Sequence, residues 1–509
     1  MGIHLANGAA GIRALWREPA PLRAVARLDA YPWFVVGTVC IGAFMGQVDA
    51  SIAQLVLPEL EPEFHASVGA VAWVSVAYLL VVAAMLPVFG RLADMLGRKL
   101  LYCIGFLVFV TGSGLCGLAP SLEMLIGARV LQGLGAGLLG ANSLAIVVTA
   151  AGDARRGRAL GMLAAAGAIG LSAGPALGGL LIGLFNWRWV FWINVPAGLL
   201  GALIGLLVLP QTERQRTPGR FDLIGAGLLI PALALLLLAL NEGGRAGLGS
   251  SLLIGPILAF LALLIGFVRR EQRTKSPLID LGLFRNPVFV AGNAVGLLAY
   301  AILFGVFFLM PFVLERVYGD SPLTAGLRLT VIPAAMGLAA PASGALYDRH
   351  GARSLRVIGM LAVLGSLLLL SFFIDGNAAR LPFVTAALAL FGIGEGMFTA
   401  PNNSAVMGSA PATETGQAGG LLNMMRTLGM SLGISIASVI LARQLPVLTD
   451  RAGATLGVPA HDLIRAATAA FAAFAALAGV AALLSLVRAS RQNPEPTGRR
   501  RALDIAVRE

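Results

Sequence analysis

The sequence predicts an all-α membrane protein with fourteen transmembrane helices, arranged as two six-helix halves with two helices inserted between them. Three observations predict this fold class: the composition, the length of the apolar runs and an internal duplication. Of the 509 residues, 58% are hydrophobic and 12% are charged, whereas a soluble domain carries about 25% charged residues because its surface faces water. A chain this poor in charge must expose most of its surface to lipid.

The apolar runs have the length that a membrane-spanning helix needs, which is about 20 residues. The predicted spans lie near 33–57, 70–90, 100–119, 122–150, 158–184, 188–209, 222–241, 251–268, 287–314, 325–347, 355–374, 381–409, 415–442 and 464–487. They divide the chain into an N-terminal segment 1–32, a six-helix half 33–209, two inserted helices with their loops 210–286, a second six-helix half 287–488 and a basic tail 489–509.

The charges between the spans predict the orientation in the membrane. Most of the 37 Lys and Arg residues fall in alternate connecting segments, and both terminal segments belong to this set. Loops rich in Lys and Arg stay on the cytoplasmic side. The first loop on the opposite side is acidic, with Glu59, Glu61 and Glu63. We therefore expect a multi-pass protein of the inner (plasma) membrane with both termini in the cytoplasm.

The composition also argues against several function classes. The net charge is +12, but the basic residues form short clusters between spans and no continuous face, so we expect no nucleic-acid partner. The four histidines are scattered and the three cysteines lie inside apolar runs, which predicts no metal site and no disulfide framework. No phosphate-binding loop with a following lysine is present. We therefore expect no cofactor and no enzyme activity, and a proton gradient as the energy source.

An internal repeat predicts how the spans are grouped. The segment 90–99 recurs at 344–353, with Gly, Leu, Asp and Gly at the same places. Further matches follow at one constant offset: Gly135, Gly137, Gly170, Ser172 and Gly174 match Gly394, Gly396, Gly429, Ser431 and Gly433. Spans 2, 4 and 5 thus match spans 10, 12 and 13. The repeat unit is six helices in parallel orientation, and spans 7 and 8 lie between the two units.

A short polar turn follows span 2. It contains Gly90, Asp94, Gly97, Arg98 and Lys99, and its repeat contains Asp348. Gly90 would let helices approach closely, and Gly97 would supply a turn conformation that costs other residues energy. Asp94 can face a helix N-terminus or an arginine in one conformational state only. The turn resembles the signature loop of the major facilitator superfamily, which implies a cytoplasmic contact that favours the outward-open state.

Span 5 carries a series of small residues and a proline: Gly170, Gly174, Pro175, Gly178 and Gly179. Small residues every four positions form a groove for close helix packing, and Pro175 removes a backbone hydrogen bond. Helix packing alone would account for glycine pairs. The complete pattern resembles the antiporter motif of proton-driven exporters in the same superfamily, and this resemblance implies transport out of the cell.

A charged residue lies deep in span 4. Arg129 is costly there by several kcal/mol unless it meets water or a partner. Asp49 in span 1 is a candidate partner, because both residues lie roughly 10–12 Å from the outer ends of their spans at 1.5 Å per residue. We expect Asp49 to bind a proton from outside, and this proton to compete with the substrate or with the Arg129 contact.

The segments 46–51, 129–133 and 187–196 resemble the fourteen-span drug:proton antiporters, and the resemblance covers residues 31–488. The tryptophans of 187–196 are also typical of a membrane interface. The chain departs from the family after Asp49, where the polar Gln54 replaces small residues. The resemblance implies export of small lipophilic, mostly cationic compounds such as drugs or dyes.

Two ionisable residues lie deep in the second half. Glu395 is in span 12, where this family usually has an apolar or small residue, and Arg426 is in span 13. Buried ionisable groups usually pair, so one interpretation is an ion pair of the two that holds the halves together. A second proton-binding or cation-binding carboxylate is another, and a position at the lipid edge is a third.

We expect the substrate cavity between the halves. The candidate lining residues are Gln54, Gln132, Asn142, Met397, Asn402 and Asn423. The function predicted first is proton-coupled export by alternating access, with lipophilic substrates, protons and lipid as partners and no adaptor that the sequence identifies. The alternatives are a dedicated exporter of a metabolite, siderophore or lipid, an ion-coupled uptake symporter, which the antiporter motif disfavours, and a non-transporting sensor or scaffold.

Overall fold

The computed structural model describes residues 18–212, 221–243, 250–274, 277–411, 414–445 and 455–487. Within these residues, fourteen helices are long and apolar enough to cross a membrane, which confirms the fold class and the number of spans. In chain order, α1 to α14 are Tyr31–Phe64, Val68–Leu96, Arg98–Gly117, Leu122–Gly152, Ala154–Leu184, Trp189–Val208, Leu223–Asn241, Ser251–Arg273, Pro287–Arg316, Pro322–Gly344, Gly351–Phe373, Ala378–Ser409, Thr415–Gln444 and Ala460–Leu484. The basic tail lies outside the described residues.

Several of these helices have a serine as their N-cap residue. The side chain of Ser67 accepts a hydrogen bond from the backbone N–H of Ala70 at the start of α2. Ser121 and Ser321 do the same for α4 and α10. Each cap satisfies one of the backbone N–H groups that a helix start leaves without a partner.

Glycines in the left-handed region make the tight turns between α2 and α3 and between α10 and α11. Gly97 has φ 111° and Gly351 has φ 73°, and the two residues are equivalent positions of the sequence repeat. The turn conformation predicted for Gly97 is therefore found, and the second half uses the same device. Residues with a Cβ adopt such φ values at a cost.

Helix α1 is longer than predicted. It was expected to end at Leu57, before Pro58, with an acidic loop after it, but it continues through Pro58 and Pro62 to Phe64. The expected loop is therefore wrong: its glutamates lie on the last turns of α1. Glu61 is buried and accepts hydrogen bonds from the backbone N–H of Thr455, at 3.1 Å, and from its hydroxyl group. This contact with the other half stabilises the helical extension.

The bundle has two chemically distinct ends. The end at which α1 ends and α2 begins is called the acidic end. The end at which α2 ends and α3 begins is called the basic end. At the acidic end the halves are in contact. Gly179 of α5 lies so close to Pro322 of α10 that a Cβ atom would overlap the proline carbonyl group, and Arg316 Nη2 donates to the carbonyl oxygen of Pro58 at 2.7 Å.

Towards the basic end, the glycines of α5 and α10 make no such close contact. A Cβ atom placed on Gly157 or Gly161 of α5 would meet no atom within 4 Å, and the same holds for Gly337 and Gly344 of α10. The close contact of α5 with α10 at Gly179 is therefore not repeated at these four glycines.

The two inserted helices lie over the seam between α2 and α13. Apolar residues of α7 pack with those of α2 and α13 in one cluster, and Asn241 Nδ2 donates to Ser435 Oγ of α13 at 3.1 Å. Helix α8 packs on α7. Burial opposes ionisation of Asp222, just before α7, but hydrogen bonds from Arg270 of α8 and from backbone N–H groups at the start of α7 together hold the pKa of Asp222 below its ordinary value. The hairpin is therefore attached to both halves through α7.

Lys99 and Glu18 fasten three segments together at the basic end. Lys99 Nζ donates to the carbonyl oxygens of Pro19 and Leu209, both at 2.7 Å. The Glu18 carboxylate accepts from the backbone N–H groups of Leu100 and Thr212. Lys99, predicted as part of a cytoplasmic contact between conformations, is buried and anchors the N-terminal segment to the end of α6.

We expect Lys99→Met to lower the thermal stability of the protein. The methionine fills similar space but removes the donor from the carbonyl groups of Pro19 and of the buried Leu209, and a buried group left without its partner costs about 1–3 kcal/mol. Thermal unfolding in detergent, followed by intrinsic fluorescence, measures the effect, and Arg98→Met is the matched control because Arg98 is partly exposed. Equal melting temperatures for the two variants would contradict the anchoring role.

Candidate functional site

A buried ion pair joins α1 and α4. Arg129 Nη1 lies 2.6 Å from Asp49 Oδ2, and both side chains are inaccessible to solvent. The structure thus brings together the two charged residues that the sequence suggested as partners. Asp49 Oδ1 also accepts from Gln132 Nε2 at 2.7 Å and from Asn194 Nδ2 at 3.0 Å. The carboxylate is satisfied by three side chains from α4 and α6.

The guanidinium group of Arg129 is satisfied in turn. Its Nε donates to the carbonyl oxygen of Val74 in α2 at 2.9 Å, and its Nη1 also donates to Gln132 Oε1 at 2.7 Å. The ring of Tyr78 lies under it, with 4.0 Å between the guanidinium carbon and the ring centroid. A cation over an aromatic face gains most where water is excluded. These contacts offset part of the cost of removing the charge from water.

Helix α3 completes the site. Ser113 Oγ accepts from Asn194 Nδ2 at 3.2 Å and donates to the carbonyl oxygen of Phe191 at 2.8 Å. A Cβ atom on Gly112 would overlap the backbone of Gln132, so glycine is needed for α3 to lie against α4 there. The site therefore draws on five helices, α1, α2, α3, α4 and α6, which all belong to the first half.

Sequence reasoning missed Asn194, Tyr78 and Ser113 as members of this site. The segment 187–196 was interpreted as a membrane interface because of its tryptophans. The available signal was the asparagine itself, since an amide in an otherwise apolar helix needs partners. Tyr78 and Ser113 carry no comparable signal, because both residue types are common in apolar helices.

The glycines predicted as an antiporter motif bring α5 against α1 and α10. A Cβ atom on Gly170 would overlap the carbonyl group of Phe44, one on Gly174 would overlap Ser51, and one on Gly178 would press on Ile52. Ser51 and Ile52 follow Asp49 closely on α1. On the other side, Gly179 contacts α10, and the carbonyl group of Pro175 contacts Gly326. The motif thus connects the helix of Asp49 with the contact between the halves at the acidic end.

In the second half, Glu395 and Arg426 do not pair. Arg426 Nη2 donates to the hydroxyl group of Tyr300 in α9, and its guanidinium carbon lies 4.4 Å from the centre of that ring. Both carboxylate oxygens of Glu395 are buried without a hydrogen-bond partner among the described residues. The interpretation as an ion pair is wrong for this conformation, and so is the lipid edge, because Glu395 is only 1% exposed.

The predicted cytoplasmic contact is local in this structure. Asp94 Oδ1 accepts from Arg98 Nη2 at 2.7 Å, within its own turn, and both side chains are partly exposed. A Cβ atom on Gly90 would meet no atom within 4 Å, so the close helix approach expected there does not occur in this conformation. The side chain of Asp348 lies outside the described residues.

The candidate cavity residues fall into two groups. Gln54, Asn142 and Asn402 are buried, each with an amide oxygen that has no partner among the described residues. Gln54 Nε2 donates to Ser75 Oγ, at 3.2 Å, and Asn402 Nδ2 to the carbonyl oxygen of Gly292, at 2.9 Å, so they pack between helices here. The half-buried candidates are Met397 and Asn423. Gln132 belongs to the Asp49 site.

A family model supplies the identification. The model of the Major Facilitator Superfamily matches residues 39–434. The chain belongs to the Major Facilitator Superfamily. Superfamily membership makes it a multi-pass membrane transporter of small molecules and not an enzyme.

Several curated superfamily proteins are similar to this transporter. Riboflavin transporter RibZ of Clostridioides difficile is 35% identical over 413 residues, which cover 81% of this chain and 89% of RibZ. A multidrug resistance protein B homolog of Mycobacterium tuberculosis strain H37Rv is 32% identical over 422 residues, which cover 82% of this chain and 78% of the relative. Tetracenomycin C resistance and export protein of Streptomyces glaucescens is 31% identical over 416 residues, 82% of this chain and 76% of that protein.

Solved structures share the fold of this transporter at low sequence identity. A bacterial homologue of the human lysosomal transporter Spinster, in an inward-facing and unoccupied conformation, has a TM-score of 0.63 and 15% identity, over 90% of this chain and 97% of the other. The human organic anion transporter MFSD10 has a TM-score of 0.58 and 17% identity, over 89% and 99%. Both establish the superfamily fold for this chain.

We expect Gly179→Leu to reduce transport at least tenfold. The leucine side chain would collide with Pro322 and force α5 away from α10, so the acidic end could not close. Transport rate per folded molecule, measured in proteoliposomes, tests this. Gly161→Leu is the matched control, because it adds the same side chain to the same helix where no atom lies within 4 Å. Transport by Gly179→Leu at the rate of the control would show that the contact of Gly179 with Pro322 is not needed for transport.

Proposed function

We propose that this transporter is a proton-coupled antiporter that exports small lipophilic, mostly cationic compounds by alternating access. The observation that carries the proposal is the solvent-inaccessible Asp49–Arg129 pair with its complete set of hydrogen bonds. An ionisable pair at this depth is costly to retain, and such residues mark proton pathways in transporters. Relatives named as multidrug resistance and export proteins support the direction and the substrate class.

The charges support one orientation. The basic end carries Arg91, Arg98 and Lys99, and the acidic end carries Glu59 and Glu63. Because Lys and Arg concentrate on the cytoplasmic side, we assign the basic end to the cytoplasm. In this orientation the contacts between the halves at Gly179 and Arg316 lie at the outer end, which supports our assignment to the state in which an exporter receives its substrate from the cytoplasm.

Protonation of Asp49 would change the contacts of α1. A neutral carboxyl group no longer attracts the guanidinium group of Arg129, which keeps its hydrogen bonds to Val74 and Gln132 and its place over Tyr78. The link between α1 and α4 therefore weakens while Arg129 remains satisfied. Because Ser51 packs against Gly174, a shift of α1 is transmitted to α5 and, through Gly179, to α10.

For a neutral substrate, the energy of one proton is sufficient for useful export. Movement of one charge through 100 mV supplies about 2.3 kcal/mol. Since 1.36 kcal/mol is a factor of ten, this sustains about a fifty-fold gradient of a neutral substrate. A pH gradient adds to that value.

A second candidate function is the dedicated export of one metabolite. The similarity to riboflavin transporter RibZ, at 35% identity, favours a flavin or a related planar compound as the substrate. The site that binds protons would be the same in both cases. The two candidates differ in substrate range, and the same experiment separates them.

The experiment follows substrate uptake and internal pH together in energised inverted membrane vesicles, with ethidium in one series and riboflavin in the other. For the wild type we expect ethidium accumulation that collapses with a protonophore and proton release that accompanies each addition of ethidium. Riboflavin transport without ethidium transport would support the second candidate. Movement of neither compound by folded protein would contradict both.

We expect Asp49→Asn to lower proton-driven ethidium accumulation at least tenfold, because asparagine keeps the shape of the side chain but cannot exchange a proton. Glu63→Gln is the matched control: Glu63 is at the acidic end, pairs with Arg188 at 3.0 Å and is exposed. It should transport at the rate of the wild type. Full proton-driven accumulation by Asp49→Asn would remove Asp49 from the coupling mechanism.

A further inference from the structure

Glu395 is the one described carboxyl group whose two oxygens are both buried without a hydrogen-bond partner. It lies near the middle of α12, about 21 Å from the basic end at 1.5 Å per residue. Asp49 lies at comparable depth in the first half but accepts three hydrogen bonds and faces an arginine. In the same conformation, the buried carboxyl group of the first half is therefore fully hydrogen-bonded, whereas that of the second half has no hydrogen-bond partner among the described residues.

Helices α10 and α11 pack tightly against α12 next to Glu395, and a polar group, the phenol of Tyr300, lies on the side of α9. Next to Glu395, Gly394 packs on the backbone of α11 at Gly359, and Gly396 packs on the backbone of α10 at Met336. These tight contacts occupy two sides of α12. On the side of α9, Glu395 is close enough to interact electrostatically with the phenol group of Tyr300.

Two other arginines on the surrounding helices have partners away from Glu395. Arg328 of α10 is bound to Asp320 at 2.7 Å and reaches Thr385 of α12 nearer the acidic end. Arg356 of α11 donates to the carbonyl oxygen of Ser485. Arg426 of α13 differs because it contacts Tyr300: its Nη2 donates to the hydroxyl group, and its Nε is buried without a partner among the described residues.

An ionised carboxylate without a partner is very costly to bury. Two changes remove that cost: a proton on Glu395, or an ion pair with an arginine. The first fits the conformation described above, since no donor reaches Glu395. The second is available from Arg426, which donates to Tyr300, a residue within electrostatic range of Glu395, and has one buried donor without a partner among the described residues.

We propose that Glu395 is a second proton-binding site, which holds a proton when the acidic end is closed and releases it to water at the basic end when Arg426 leaves Tyr300 and pairs with the carboxylate. This rests on the proposed antiport function. No covalent bond other than the carboxyl O–H breaks, the Arg426–Tyr300 hydrogen bond is exchanged for the ion pair, and the proton goes to water. With Asp49, the cycle then moves two protons for each substrate.

The number of protons determines whether transport responds to voltage. Exchange of one monovalent cation for two protons moves one net charge, whereas exchange for one proton moves none. In proteoliposomes with a membrane potential and no pH gradient, we expect the wild type to transport ethidium and Glu395→Gln to do so at least tenfold more slowly. With a pH gradient and no potential, both should transport. Glu395→Asp, which keeps the carboxyl group, should regain the response to voltage.

A second measurement tests the proton itself, independently of transport. Infrared spectroscopy of the reconstituted wild type should show the C=O stretching band of a protonated carboxylic acid, and Glu395→Gln should lack it. Thermal stability should be nearly equal for the two proteins, because glutamine resembles the neutral acid. A purely structural ion pair would instead make Glu395→Gln less stable and leave the voltage response unchanged.

The outcomes separate the two proposals. If Glu395→Gln keeps the voltage response of the wild type, or if the infrared band is unaffected, the second proton site is wrong while antiport stands. If the wild type transports no ethidium but the infrared band is absent from Glu395→Gln, the proton site stands and the antiport function for such cations is wrong.

Discussion

The rest of the first half is built around one constraint, the need to hold the Asp49–Arg129 pair away from water. A buried ion pair is tolerated only when the remaining donors and acceptors also find partners. Here Gln132, Asn194 and the carbonyl group of Val74 provide them. Because these groups come from different helices, satisfying one pair of charges fixes the relative positions of α1, α2, α4 and α6.

The pair has no counterpart in the second half, although the chain is an internal duplication. By the constant offset of the repeat, the position of Arg129 corresponds to Leu388, which is fully buried. The second half places its ionisable groups elsewhere on α12 and α13. The same backbone architecture therefore supports two different polar sites, because packing glycines such as Gly394 and Gly135 define the helix contacts while the charged positions vary.

Composition and periodic small residues were sufficient to predict the fold. Fourteen apolar runs gave fourteen helices, since lipid leaves the backbone few alternatives to a helix. The Asp49–Arg129 contact was also predictable, because equal depth and opposite charge leave few other partners. The extension of α1 through Pro58 was not, because it depends on a contact between Glu61 and Thr455, which are far apart in the chain. The separation of Glu395 from Arg426 depends on the orientation of Tyr300, which no local pattern encodes.

The position of α7 has a consequence for molecules that dissolve in the bilayer. Two long seams separate the halves, one between α2 and α13 and one between α5 and α10. Along the first, α7 bridges both halves through its apolar cluster and the Asn241–Ser435 hydrogen bond. Among the described helices, none covers the second seam in the same way. In the orientation proposed above, a lipophilic compound from the cytoplasmic leaflet would meet the inserted hairpin at the first seam, so we expect sideways entry into the central region between α5 and α10.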